Sequence, residues 1–189
     1  MDAKTEKEFR RNDELFSLCG LNCSLCPMFI SKQCTGCRAG SWCAKFCHIA
    51  PCSVKHGGID YCFRCAEYPC KKYDGIDLRD SLMSHRNQKT DMAKAKRIGI
   101  EAYHDEQREK VRILHRFLDE YGDDDRDVFY CLAVNMLDIE DLNIAIKRTD
   151  AELESEDLQA KADCMERNLR LVAKEKNVPL KLRRWEGAW

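Results

Sequence analysis

The chain has no long apolar run. None of its 189 residues lies in a stretch approaching the roughly 18 consecutive apolar residues that a membrane-spanning helix needs. The first residues, MDAKTEKEFRRNDELF, mix acidic and basic side chains and have no apolar core of the kind that a secretory signal requires. The formal net charge of −1 shows no excess of either sign, so composition demands neither a membrane nor a polyanion as partner. These absences predict a soluble, cytoplasmic protein.

The sequence also lacks the usual catalytic patterns. We find no glycine-rich phosphate loop, no carboxylate pair in apolar surroundings and no Ser/His/Asp set. His85, His104 and His115 fall in charged segments, and we expect them to be solvated. No catalytic residue is therefore assigned, and a non-enzymatic role is favoured over an enzyme.

Cysteine, in contrast, is abundant and unevenly distributed. Eleven of the 13 cysteines lie between Cys19 and Cys70, and only Cys131 and Cys164 lie beyond them. A reducing cytosol disfavours a disulfide framework, and the odd number fits one poorly. We therefore predict a cysteine-rich metal-binding module over residues 1–75, stabilised by its metal, and a helical domain with a C-terminal tail over residues 76–189.

One group of cysteines has the spacing of a tetrathiolate site. Cys23-x2-Cys26-x7-Cys34-x2-Cys37 contains two paired-thiol motifs, which can close a tetrahedron around one Zn²⁺. Gly36, in CTGC, stands where a tight turn needs a positive φ and where backbone N–H groups would point at the sulfurs. These four cysteines are predicted to share one ion.

A second group follows, and several thiols remain over. Its spacing is Cys52-x9-Cys62-x2-Cys65-x4-Cys70. Cys19, Cys43 and Cys47 would be left for a third site, with His48 or His56 as possible further ligands. Spacing does not decide which thiols share an ion, so the groups could equally interleave, and we predict two or three zinc ions. The favoured interpretation is a solvated loop residue for His56 and a hydrogen bond to a thiolate for His48.

An iron–sulfur cluster is the main alternative to zinc. Cys19-x3-Cys23-x2-Cys26 has the spacing by which radical S-adenosylmethionine enzymes hold a [4Fe–4S] cluster. The rest of the chain has no alternation of strands and helices from which to build their barrel. A simple iron–sulfur electron carrier or a redox-sensing thiol cluster remains possible, although soft thiolate ligands also suit zinc.

The motifs CGLNCSLCP, CTGC and CFRCAEYPCKKY resemble a known family. It is the cysteine-rich, zinc-finger-like bacterial and archaeal family called domain of unknown function 3795, and the resemblance covers residues 19 to about 73. It implies a metal-binding module, zinc being the expected ion, and no established activity. The matching positions are Cys19, Cys23, Cys26, Cys34, Cys37, Cys52, Cys62, Cys65 and Cys70. Cys43 and Cys47 lie outside the clear part of the pattern and are less certain ligands.

The second half of the chain predicts about four helices. Apolar positions from Ile100 to Tyr121 form one stripe, with Gly122 after it. A nearly all-apolar helix follows, capped by Asp124 or Asp125, then a short helix from about Asp138 and a last one after Ser155 that ends before Pro179. Cys131 is expected to be a buried small apolar residue. The tail VPLKLRRWEGAW is predicted to be an edge strand, a docking segment or a mobile end.

Charge and aromatic residues bear on the partner. Residues 1–75 carry 11 Lys or Arg and 8 Asp or Glu, and two Zn(Cys)₄ sites would cancel that small excess. No basic surface for nucleic acid remains. By elimination the predicted partner is another protein, contacted through aromatic residues near the thiols and through Trp185 and Trp189. The third functional hypothesis, after the interaction module and the iron–sulfur protein, is an enzyme with an open zinc–thiolate site.

Overall fold

The structure, a computed structural model, describes residues 14–39, 41, 43, 46–123, 126–153 and 157–183. Within them the fold is mainly helical and contains no β-strand. Seven α-helices are formed: α1 (Pro27–Ile30), α2 (Ala50–Lys55), α3 (Gln88–Ile98), α4 (Ile100–Tyr121), α5 (Asp127–Met136), α6 (Ile139–Glu152) and α7 (Leu158–Glu175). No helix in this part of the chain is both long and apolar enough to cross a bilayer.

The predicted helical C-terminal part is confirmed, with five helices instead of about four. The helix that the sequence did not predict is α3, whose buried face consists only of Gln88, Met92 and Ala95. Helix α4 ends at Tyr121 with Gly122 in extended conformation, where a Cβ would collide with the Leu118 carbonyl group. Helix α5 is buried from Tyr130 to Met136, as its apolar sequence predicts. The predicted caps at Asp124 and Asp125, Ser155, and the tail tryptophans lie outside the described residues.

The cysteine-rich segment is built from short helices and 3₁₀ turns. The turns span Cys23–Leu25, Cys37–Ala39, Cys62–Arg64 and Lys71–Tyr73. In the two Cys-x2-Cys motifs that form such turns, the Cys26 amide donates to the Cys23 carbonyl at 3.0 Å and the Cys65 amide to the Cys62 carbonyl at 2.9 Å. This geometry brings both cysteines of each motif to one side of the chain.

Two hydrophobic cores connect this segment to the helices. Helices α4 to α7 enclose the larger core, and Leu25, which is fully buried, belongs to it. The smaller core combines residues of the cysteine-rich segment with residues of α3 and α4: Phe16, Leu18, Ile49, Ala50, Tyr61, Tyr73, Met92, Ala95 and Tyr103. Each core thus takes side chains from both sides of the predicted boundary near residue 75.

A buried polar network centred on Asn22 makes the same connection. The Tyr103 hydroxyl donates to Asn22 Oδ1 at 2.9 Å, and Asn22 Nδ2 donates to Asp91 Oδ2 at 2.9 Å and to Asn135 Oδ1 at 3.2 Å. Burial raises the pKa of Asp91 to about 6, although the nearby Lys110 ammonium group opposes that rise. Asn22, which directly precedes Cys23, therefore connects the cysteine-rich segment to α3, α4 and α5.

The histidine prediction is wrong for His104. This side chain is 3% exposed, and its Nε2 lies 3.1 Å from the Tyr61 hydroxyl. It lies on the face of α4 that covers the cysteine-rich segment, which an apolar stripe alone could not identify. His115 is exposed, as predicted, and His85 is half-buried, with its pKa lowered by burial.

The C-terminal tail packs against the loop between the cysteine-rich segment and α3. The Arg86 guanidinium group donates to the Pro179 carbonyl at 2.7 Å and also to that of Lys181. The Arg183 amide and guanidinium donate to the Asp80 carboxylate at 2.7 and 2.9 Å. Burial alone would raise the pKa of Asp80, but the hydrogen bonds outweigh that effect and lower the pKa to about 2. The tail docks as far as Arg183.

Candidate metal centre

Four cysteines line one small cavity, which we call the four-thiol cavity. Its thiols belong to Cys52, Cys62, Cys65 and Cys70, and its volume is about 30 Å³, enough for a single water molecule. Cys52 lies in α2, Cys62 and Cys65 are at the two ends of one 3₁₀ turn, and Cys70 precedes the next turn. These are the four cysteines that the sequence predicted as its second group.

At the four-thiol cavity, one hydroxyl group favours an ionised sulfur, and burial and the other sulfurs oppose it. The Tyr73 hydroxyl hydrogen-bonds to the Cys62 thiol and favours its ionised form. Burial, together with the negative charges of Cys70, Cys52 and Cys65, outweighs this and raises the pKa of Cys62 to about 11. Four sulfurs in so little space repel one another when ionised, so a cation among them would reverse the balance.

His56 lies at the edge of the same cavity. Its Nδ1 is 3.6 Å from Cys52 Sγ and 2.9 Å from the Cys52 carbonyl oxygen, and its Nε2 is 3.5 Å from the Glu67 carboxylate. The hydrogen bond to that carbonyl, followed by the one to Glu67, raises the pKa of His56. The Nδ1 atom is placed to donate to the Cys52 carbonyl oxygen, and a nitrogen that carries a proton does not at the same time bind a metal ion.

The other seven cysteines of the segment line a larger cavity, the seven-thiol cavity, of about 430 Å³. It gathers both the first predicted group and the three cysteines left over: Cys19, Cys23, Cys26, Cys34, Cys37, Cys43 and Cys47. Leu18 and Ile49 line both cavities and separate them. His48 and His85 also line the larger one, where both His85 nitrogens have partners in Ile76 and Ser81.

Backbone amides point at several sulfurs of the seven-thiol cavity. The Gly36 amide lies 3.4 Å from Cys34 Sγ, and Gly36 has a φ of +82°, which confirms the turn predicted at CTGC. The amides of Ile49 and Ala50 donate to Cys47 Sγ at 3.3 and 3.4 Å. Such N–H groups stabilise thiolate over thiol.

Two further sulfurs of this cavity accept hydrogen bonds from the chain. The amides of Met28 and Phe29 donate hydrogen bonds to the Cys26 sulfur and lower its pKa. Burial has the larger effect and raises the pKa of Cys26 overall. The Leu21 amide acts on Cys19, and the Ser17 hydroxyl lies 3.3 Å from its sulfur. Burial and the charge of Cys37 raise the pKa of Cys19 to about 12 in spite of these bonds.

The thiols of this cavity affect one another unequally. Burial raises the pKa of Cys23 well above its usual value, and the negative charges of Cys37, Cys19, Cys26 and Cys34 add to the rise. Burial is again the first cause for Cys43, followed by the charges of Cys34 and Cys26 and, more weakly, of Cys37. For Cys19 the interacting thiols are Cys37 and Cys47. Cys23 therefore has four other thiols near enough to raise its pKa.

The donor atoms suit a soft metal ion, but the side chains do not converge as a finished site. Among the described residues, no group of three or more His, Cys, Asp or Glu side chains is arranged to hold a metal ion. All eleven thiols between Cys19 and Cys70 are free of disulfides. Their number, their two cavities and the amide donors fit thiolate coordination, which requires rotation of the side chains towards each cavity centre.

The two remaining cysteines line neither cavity, although Cys131 is close enough to Cys26 for their charges to interact. Cys131 is 3% exposed within the core of α4 to α7, which confirms its predicted role as a buried small residue. Cys164 is 6% exposed on α7, with its sulfur 3.7 Å from the Asn168 side-chain amide.

Residues 15–75 match the model of a family described as a protein of unknown function, DUF3795. This confirms the resemblance predicted for residues 19 to about 73. The match includes both cavities' cysteines and covers about a third of the chain, and the description assigns no activity or ligand. No curated protein and no solved structure matches the chain.

Proposed function

We propose that residues 15–75 form a metal–thiolate module, with zinc as the preferred ion, that serves protein recognition. The observation that carries this proposal is the four-thiol cavity. Cys52, Cys62, Cys65 and Cys70 line one volume of about 30 Å³, and no fifth thiol is on its lining. Tetrahedral zinc takes four thiolates at about 2.3 Å, so the number of thiols agrees with the number of ligands that one ion needs.

A structural rather than a catalytic role suits this cavity. Catalytic zinc keeps three protein ligands and leaves one position for water or substrate. Here four thiols supply all four positions, and Leu18, Ile49, Tyr68 and Tyr73 close the surroundings. The ion would hold α2 and the two following turns together, and its binding energy would contribute to the folding of the segment.

Native mass spectrometry on protein prepared without oxygen tests the four-thiol site. We expect Cys70→Ser to lose one bound zinc ion relative to the unchanged chain. The matched control is Cys164→Ser, which removes a thiol on α7 that lines neither cavity and should retain every ion. Equal zinc content in the Cys70→Ser and unchanged chains would overturn the assignment.

An iron–sulfur protein is the second candidate, favoured by one observation. Cys19, Cys23 and Cys26 all line a cavity of about 430 Å³, far more space than a single ion needs. Thiolates hold such clusters as readily as they hold zinc. A brown preparation with broad absorption near about 400 nm would assign an iron–sulfur cluster to this cavity in place of zinc. A colourless preparation with bound zinc would exclude the iron–sulfur candidate.

The partner that we propose is another protein with an apolar segment. Phe46 is 74% and Leu82 49% exposed, and both line the seven-thiol cavity. Large apolar side chains left exposed beside a concave surface are typical of recognition sites. Nucleic acid is disfavoured because residues 1–75 carry too small a positive excess.

Site-specific photo-crosslinking tests this partner. A benzophenone side chain at position 46 should give one defined crosslinked species in cells, and excess unlabelled chain should compete it away. The control position is Val128 on α5, which is 46% exposed and distant in sequence from the cavities. The same species from both positions, or none from position 46, would contradict a protein contact at this surface.

A further inference from the structure

A serine and a histidine form a hydrogen-bonded pair in the loop before α3. Ser81 Oγ lies 2.9 Å from His85 Nε2, and both residues line the seven-thiol cavity. Ser81 is exposed and His85 is half-buried, so the hydroxyl group is open to a molecule that enters the cavity. A histidine nitrogen within hydrogen-bond reach of a serine hydroxyl can act as the general base that makes it a nucleophile. No sequence motif marks the pair, because it lies in an irregular segment between helices.

The backbone determines which nitrogen of His85 carries the proton. Its Nδ1 lies 3.3 Å from the Ile76 carbonyl oxygen, which can only accept a hydrogen bond. Nδ1 therefore donates, and in the neutral ring Nε2 keeps the lone pair that accepts the Ser81 proton. Ile76 thus orients the base, as the third group beside a nucleophile and its base does.

Further hydrogen bonds fix the backbone at both residues. The Ser81 amide donates to the Met83 carbonyl oxygen at 3.0 Å, and the His85 amide donates to Asp80 Oδ1 at 2.9 Å. The Asp80 side chain is fully buried and also accepts from the Arg183 guanidinium group at 2.9 Å. The serine and the histidine are therefore placed by contacts that do not depend on the bond between them.

The imidazole of His85 is suited to accept a proton near neutral pH. Burial lowers its pKa below the usual value of about 6.5, and the positive charge of Arg183 adds to this effect. The hydrogen bond to Ile76 and the negative charge of Asp80 oppose it. The ring is therefore neutral at pH 7, and the Asp80 carboxylate can stabilise the imidazolium that forms when the proton arrives.

The cavity has the size and the walls of a site for a small apolar molecule. Its volume of about 430 Å³ lies within the range of roughly 300–1,000 Å³ that ligand pockets occupy. Gln88 Oε1, on a residue that lines the same cavity, is buried and has no hydrogen-bond partner in the described part of the chain, so an acceptor for a ligand is also present. Apolar side chains supply much of the lining besides the thiols, among them Leu21, Met28, Phe29, Phe46, Leu82 and Met83.

One backbone amide next to the serine is available for a substrate. The Leu82 amide directly follows Ser81 and donates to no backbone acceptor among the described residues. An N–H group at the residue after a nucleophilic serine can stabilise the negative charge that develops on the carbonyl oxygen under attack. The loop thus provides a nucleophile, a base and a donor for the oxyanion.

We propose that Ser81 and His85 form a nucleophile–base pair that hydrolyses small, apolar carboxylic esters in the seven-thiol cavity. Ser81 Oγ adds to the carbonyl carbon while His85 Nε2 takes the hydroxyl proton. The imidazolium then passes this proton to the leaving alkoxide oxygen, the C–O bond breaks, and the alcohol departs. Water cleaves the acyl-serine by the same route, which releases the carboxylic acid and returns the proton to Ser81. This activity goes beyond the proposed metal–thiolate function and uses residues outside 15–75.

A fluorophosphonate probe, which reacts with a serine hydroxyl that an adjacent base activates, tests the pair on the full, unchanged chain. We expect one probe per chain, and peptide mass spectrometry should place it on Ser81. A chain that takes up no probe, or that carries it on another residue, would overturn the proposal. This result does not depend on the folding of any variant, and the metal content of the same preparation tests the metal–thiolate function separately.

Three variants distinguish catalysis from a merely structural hydrogen bond. Ser81→Ala should abolish labelling, and His85→Gln should slow it by about 100-fold or more, since general-base catalysis contributes roughly 10²–10⁴ in rate. Ser31→Ala is the matched control, because Ser31 is an exposed serine whose hydroxyl donates to the Met28 carbonyl, and it should label as fast as the unchanged chain. Undiminished labelling of His85→Gln would remove His85 as the base and overturn the pair.

Hydrolysis of p-nitrophenyl butyrate is the second readout. The rate of the unchanged chain should saturate with ester concentration, and Ser81→Ala should lose the saturable part. The thiols of the chain can also attack this activated ester, but their reaction persists without the Ser81 hydroxyl. Equal saturable rates for Ser81→Ala and the unchanged chain would therefore contradict the proposal.

Discussion

Replacing Asn22 by alanine tests how firmly the cysteine-rich segment is joined to the helices. Asn22 is 2% exposed, and its amide makes three hydrogen bonds, to Tyr103, Asp91 and Asn135. Each buried partner that loses its bond costs about 1–3 kcal/mol, and the bond to the Asp91 carboxyl group lies at the upper end. Because the partners relax together, we expect a loss of about 3–5 kcal/mol in the free energy of unfolding.

Urea unfolding followed by far-ultraviolet circular dichroism measures that loss. The midpoint should fall at an unchanged m-value, and the melting temperature should fall by about 6–20 °C for a chain of this size. Asn143→Ala is the matched control, since Asn143 is exposed on α6 and should change the free energy by less than about 0.5 kcal/mol. A loss below about 1 kcal/mol for Asn22→Ala would refute the claim that this network joins the two parts.

Three further predictions use the same contacts. Gly20→Ala should destabilise the protein by about 2–4 kcal/mol in the same assay, because a Cβ at this φ of +97° would lie 2.8 Å from the Gln88 carbonyl oxygen. Gly57 also has a positive φ but faces open space, so Gly57→Ala should cost only about 1–2 kcal/mol. Leu25→Ala should lower the free energy of unfolding by about 2–5 kcal/mol, because it empties a fully buried position between Cys23 and Cys26. Leu171 is exposed, so Leu171→Ala should leave that free energy almost unchanged. Equal losses for the two variants would mean that Leu25 is not packed in the core. The pKa of Asp91 is raised to about 6, above its value of about 3.9 in the unfolded chain, so the folded state binds more protons between these two pH values. The free energy of unfolding should therefore fall as pH rises through that window. Asp91→Asn should remove this pH dependence, and an unchanged dependence would contradict the assignment.

Sequence periodicity predicted the helices that bury a wide apolar stripe. Helices α4 to α7 each carry several apolar residues at helical spacing, and the structure has them close to the predicted positions. Helix α3 was missed because its sequence, QKTDMAKAKRI, contains little apolar surface. Its buried face uses Gln88 and the small residue Ala95, and neither gives a signal in an apolar pattern.

The cysteine spacing predicted one group of thiols better than the other. Cys52, Cys62, Cys65 and Cys70 line one cavity together, as their spacing indicated. The spacing could not show that Cys43 and Cys47 join the first group, because the approach of these thiols depends on how turns and α2 fold back on Leu18 and Ile49. Buried polar partners such as Asn22 and His104 were also invisible, since each pairs with a residue distant in sequence. Whether the thiols bind metal stays a prediction.

X-ray absorption at the zinc edge, combined with elemental analysis of protein prepared without oxygen, tests the central claim most directly. We predict two or three zinc ions per chain, each surrounded by four sulfur atoms at about 2.3 Å, with no oxygen or nitrogen neighbour. Less than one metal ion per chain, or zinc with an average shell that contains oxygen or nitrogen, would contradict the account.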